Sequence, residues 1–168
     1  MQNAKDTFYR TLQSRLAALN PARTLVLRGA VRPGVLVEEN ELPAAAVSTD
    51  AFRLQWTALH LDPAHGMPLA TLVCAIRYST DGTAGNAGMD RGRALAAMDA
   101  EIAAALTAAP QHAPKQDFSA ASAGTPPTTL ATNVSWSDPT FSAIEITGER
   151  LARTASVQVF AYQEAGER

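Results

Sequence analysis

The chain carries one cysteine, Cys74, which leaves nothing for an internal disulfide or a cysteine-rich zinc site. Charged residues make up only 18% and the formal net charge is −2, a poor endowment for gripping nucleic-acid phosphates. No run approaches the roughly 18 apolar residues of a membrane-spanning helix. The opening residues Met1–Asp6 are polar and lead into no apolar stretch, so no signal peptide is expected. No Gly-x-Ser-x-Gly elbow and no phosphate-cradling loop occurs. Gly82, Gly85 and Gly88 recur every third residue, which does not fit the dinucleotide fingerprint and reads as a loop. No catalytic, cofactor-binding or metal-binding residue is therefore expected, and no cofactor.

What is present is enough for one packed domain over 1–168. The chain is 46% hydrophobic, which excludes wholesale disorder. A chain of this length buries roughly 70% of its unfolded surface. Phe8, Leu12, Leu16 and Leu19 recur at helical spacing and predict an amphipathic helix over Ala4–Leu19, with Asn3 or Asp6 as cap and Asn20-Pro21 as stop. Leu95, Met98, Ile102 and Leu106 predict a second over Met89–Ala108, with Asp90 as cap. Phe8, Leu12, Leu16, Leu95, Met98 and Ile102 are the expected core of the two helices.

Between and around them the pattern changes to period two. Strands are expected over Arg23–Arg28 and Val35–Glu39. Phe52–Leu61 and Leu69–Thr80 alternate on either side of the turn Asp62-Pro63-Ala64-His65-Gly66, which predicts a long antiparallel hairpin. In it Phe52, Leu54, Trp56 and Ala58 point one way, and Arg53, Gln55 and Thr57 the other. Strands return at Val134–Trp136, Phe141–Glu149 and Ala155–Tyr162. Gln111–Thr132, rich in Pro, Ala, Ser, Thr and Gly, is expected to be a mobile loop without regular structure. The predicted class is α+β, a mainly antiparallel sheet with two amphipathic helices packed on one face.

Several residue groups admit two readings. His60 and Asp62 stand two apart at a strand end and read as a polar hairpin tip, or as a metal or acid–base pair. His65 and His112 add no ligand spacing. Cys74 alternates with Leu72 and Ile76, the pattern of a small buried hydrophobe rather than a nucleophile. Arg91 and Arg93 fall in the first turn of the second helix, where the helix dipole disfavours cations. They read as a solvated helix end, or with Arg53, Gln55 and Thr57 as a subunit interface. Glu38, Glu39 and Glu41 read as a solvated edge that discourages stray strand pairing, or as cation ligands.

The layout resembles the phage tail terminator family, the minor tail protein U-like proteins. The residues that carry the resemblance are the opening helix Lys5–Leu19, the segment Arg32-Pro-Gly-Val-Leu-Val-Glu-Glu39, the hairpin Phe52–Tyr78, the helix Met89–Leu106 and the closing strand Ala155–Tyr162. The resemblance implies a structural protein with no enzymatic activity. Its members form a hexameric ring on a finished tail tube, stop its polymerisation and offer a joining surface to the head connector; contractile injection particles carry a similar cap. The implied partners are further copies of the chain, the tube, and sheath or head-connector proteins, with DNA only as passing cargo and no membrane. The implied location is a virion tail or injection particle assembled in the host cytoplasm. Two alternatives stand beside it: a small-ligand-binding or enzymatic α+β domain using the sheet as a pocket floor, and another tail completion or connector protein.

Overall fold

A computed structural model describes residues 1–41, 49–63, 66–119, 125–164 and 167. The fold is α+β: helices on one face of a mainly antiparallel sheet. Helix α1 spans Gln2–Leu19 and ends where Asn20-Pro21 denies it further hydrogen bonds. It begins before Asn3 and Asp6, so neither expected residue caps it, and Met1 holds that position. Strands β1 (Thr24–Leu27) and β2 (Ala30–Pro33) make a small separate hairpin. Strand β3 (Val35–Val37) pairs parallel with the start of β4 (Phe52–Asp62). The expected strand to Glu39 instead turns into a single helical turn, α2 (Glu38–Glu41).

Strands β4 and β5 (Leu69–Thr80) form the predicted long hairpin. After a 3-10 turn at Ala84–Asn86, helix α3 runs from Arg91 to Thr107. The chain continues through β6 (His112–Asp117), β7 (Thr128–Trp136), β8 (Thr140–Phe141), β9 (Glu145–Thr147) and β10 (Arg150–Tyr162). The order across the main sheet is β3-β4-β5-β10-β7-β6, and β8 and β9 also pair with β10.

Three further expectations are corrected. Gln111–Thr132 is not without regular structure: β6 and β7 pair antiparallel through most of it, and only 120–124 lies outside the described residues. Pro114 is tolerated because β6 is an edge strand, where a missing N–H costs no ladder bond. The alternation in β4 also breaks. A bulge between Trp56 and Ala58 leaves Thr57 without a partner opposite, so beyond it Leu59 and Leu61, rather than Ala58, share the face of Leu72 and Ala70. The predicted strand Phe141–Glu149 is likewise split into β8 and β9.

The core is where the two helical stripes meet the sheet. Phe8, Leu12, Leu16, Leu95, Met98 and Ile102 are all buried, as expected, and so is Cys74. Phe8 stands edge-on between Trp56 and Trp136, with ring centres 5.9 and 5.6 Å away, and so ties α1 to both wings of the sheet. Arg15 of α1 donates to the carbonyls of Ala105, Ala108 and Pro110 and lies over the Trp136 ring, capping the end of α3 with charge of the favourable sign. Trp136 Nε1 donates to Leu106 O, which settles one more of the carbonyls at that end.

Candidate functional site

Both long helices cover the same face of the sheet. The other face carries a cleft of about 460 Å³. Its floor follows from the pairing register. Arg53, Arg77 and Thr154 form one cross-strand row. Ser79, Ala152 and Glu145 form the next, two residues along and therefore on the same face. Ala51 and Arg150 complete the lining with Tyr78 and Arg153, whose side chains turn to Asp99 of α3 on the opposite face.

Three of the four arginines are held by carboxylates from other elements. Arg53 donates through Nε and Nη2 to Glu38 of α2. Arg150 grips both carboxylate oxygens of Asp81 at 2.8 and 2.9 Å. Arg153 reaches Asp99 of α3, which also accepts from the Tyr78 hydroxyl. Burial, then the Asp99 carboxylate, push the Tyr78 phenol far above its ordinary range, so it stays a donor. Arg77 differs: it is exposed and makes no hydrogen bond or ion pair among the described residues. It stands directly opposite Arg53.

The loop at the entrance to α3 is set by Asp90. Its carboxylate does not cap the helix but accepts from Thr83 N and Oγ1 at 3.0 and 2.9 Å, which draws its pKa down to about 2. Gly82 sits against it at φ +73°, and a Cβ there would meet Asp90 Oδ1 and Arg91 Cγ at 2.8 Å, so only glycine fits. Arg91 donates to Gly88 O and Glu149 O, pinning the helix start to the β9–β10 turn. Its cation at the helix N-terminus is thereby answered by two backbone carbonyls.

The five residues expected at a subunit interface do not form one surface. Arg53 and Gln55 share the open face of the sheet, Thr57 is the bulge residue and donates to Val73 O, and Arg91 and Arg93 stand at the start of α3. Arg93 is exposed. His60 and Asp62 are exposed at the end of β4, and His65 lies outside the described residues. Among the described residues no group of three metal-binding side chains occurs. Glu38 is spent on Arg53 and Glu39 on Lys5, while the side chain of Glu41 lies outside the described residues. Burial pushes the Cys74 thiol well above its ordinary range, which keeps it protonated and unreactive.

Two features escaped the sequence reading. First, β3 pairs only with Phe52–Leu54, so among the described residues the outer edge of β4 from Trp56 to Asp62 carries no strand. Leu59 and Leu61, turned by the bulge, are exposed beside that edge at 52% and 43%. Second, β8 and β9 pair only with β10, on the side away from β5, and leave Phe141, Ile144 and Ile146 exposed, Ile146 at 73%. These two apolar edges lie on opposite sides of the β5–β10 pair. No helix among the described residues is long and apolar enough to cross a membrane. Neither a protein-family model nor a curated protein matches the chain.

Proposed function

We propose that this chain is a ring-forming cap of a tail tube, in a phage tail or a contractile injection particle, that ends tube polymerisation and presents a joining surface to the head side. The observation that carries the proposal is the pair of unlike edges, Trp56–Asp62 and Thr140–Thr147, open among the described residues on opposite flanks of the sheet. A closed ring is built from heterologous contacts, in which one patch of each subunit meets a different patch of the next. Unpaired strand edges flanked by exposed apolar side chains are ready for such contacts, and a monomer with no partner would be expected to blunt them.

Six subunits, each roughly 40 Å across by the size scaling of compact domains, leave a central hole of similar width. A DNA duplex would pass through it as cargo. A net charge of −2 per subunit suits a conduit better than a clamp. The capping action is surface complementarity and makes or breaks no bond. The ring closes on its template, a tube end.

Leu59→Glu and Ile146→Glu test the edges separately. Each variant should keep the wild-type circular dichroism and melting curve, since both side chains are exposed, and each should fail to cap tubes. Capping that survives both substitutions would show that these edges are not the ring contacts.

A further inference from the structure

We propose that the cleft on the open face of the sheet binds a small multivalent oxyanion, a phosphate or a polycarboxylate, with Arg77 as its principal ligand. The inference goes beyond the ring and does not rest on it. Like charges placed directly opposite in an antiparallel ladder destabilise it, and Arg53 and Arg77 are so placed. Glu38 answers Arg53 alone. Arg77 is exposed and its guanidinium has no protein partner among the described residues, which leaves its planar fork of N–H donors for two oxygens of a carboxylate or phosphate at once.

The surroundings are built for a guest. Asp81 fixes Arg150, so that guanidinium group of the lining is held before a ligand arrives. Ser79, Ala152 and Thr154 make a floor of small side chains, two with hydroxyls. The space of about 460 Å³ falls within the range of small-ligand sites. Glu145, on the same row as Ser79, is the one anion of the lining and opposes the guest. The two charges therefore pull in opposite directions: Arg77 holds the ligand and Glu145 weakens it.

Calorimetric titration of the full chain with pyrophosphate and, separately, citrate, at fixed ionic strength, reads this directly. At least one anion should bind saturably. Arg77→Gln should weaken it about tenfold, the worth of a charge-assisted hydrogen bond. Glu145→Gln should tighten it, Arg77→Lys should fall between wild type and Arg77→Gln, and Arg93→Gln, outside the cleft, should leave it unchanged. Binding of pyrophosphate alone assigns a phosphate ligand and binding of citrate alone a carboxylate; binding of both assigns the shared chemistry. The absence of saturable binding of either anion would overturn the proposal. So would equal losses in Arg77→Gln and Arg93→Gln, which would mark diffuse charge attraction. Should Arg77→Gln fail to fold, the Arg77→Lys and Glu145→Gln pair carries the same decision.

Discussion

Arg53 and Arg77 face one another across the β4–β5 ladder, and only Arg53 has a carboxylate partner. The pair sets two like charges opposite one another, with one of them neutralised, on the face away from α1 and α3. In a buffer without multivalent anions, Arg77→Thr should therefore raise stability by a few tenths of a kcal/mol, up to about 1 kcal/mol, as for other like-charge cross-strand pairs. Chemical denaturation in low-salt buffer measures it, and a clear loss of stability would mean that Arg77 is satisfied by a contact other than an anion.

The helical stripes carry the core. Leu16→Ala and Ile102→Ala each empty a buried site and should cost about 2–5 kcal/mol in urea unfolding. Changes below half a kcal/mol at both would contradict the packing of α1 and α3 on the sheet.

Lys115 is wholly buried, at 0% exposure, and its Nζ donates to Tyr162 O at 2.6 Å and Glu167 Oε2 at 2.7 Å. Removing one partner of a buried pair leaves an uncompensated charge, which costs about 3–5 kcal/mol where water cannot enter. Glu164 remains 3.6 Å from Lys115 as a second carboxylate, so Glu167→Ala should cost less than that, about 2 kcal/mol. Lys115→Met, which removes the charge itself, should cost less. The reverse order in thermal denaturation would show that the lysine, not its answering carboxylate, anchors the C-terminal segment.

Acid should weaken the fold through Glu101. Burial alone would raise its pKa, but Arg23 at 2.7 Å and Asn20 at 2.8 Å outweigh burial and hold it below the usual carboxylate range. A lowered folded-state pKa contributes stability that is fully present above the unfolded value, near 4.3, and is lost as pH falls through the folded value. The melting temperature should thus decline below about pH 4.5, and Glu101→Gln should flatten that decline while lowering stability at neutral pH. Asp6 works the other way: burial raises its pKa, so its contribution is fully present below the ordinary value and is lost as pH rises through the raised one.

Local periodicity made the helices and the β4–β5 hairpin readable. The stripe of Phe8, Leu12 and Leu16 and the alternation of Leu72, Cys74 and Ile76 are properties of neighbours in sequence, and the structure keeps both. What was missed depends on distant partners. The bulge at Thr57 exists only in the register with β5, so Leu59 and Leu61 changed faces without any local sign. Strand β6 looked like loop because Pro114 and Lys115 break strand chemistry. Its lysine is answered by a glutamate 52 residues further on, which no window of sequence reveals. The cleft is assembled from four strands and is invisible to local periodicity for the same reason, although the alternation of β4 does place Arg53 on the open face.

The ring is tested most directly by imaging the protein on purified tail tubes or injection particles and counting its copies at the tube end. A six-fold ring at one end of every finished tube, joined through the Trp56–Asp62 and Thr140–Thr147 edges, is the expected result. A monomer that turns over a substrate, or a two-fold dimer absent from every tube end, would contradict it.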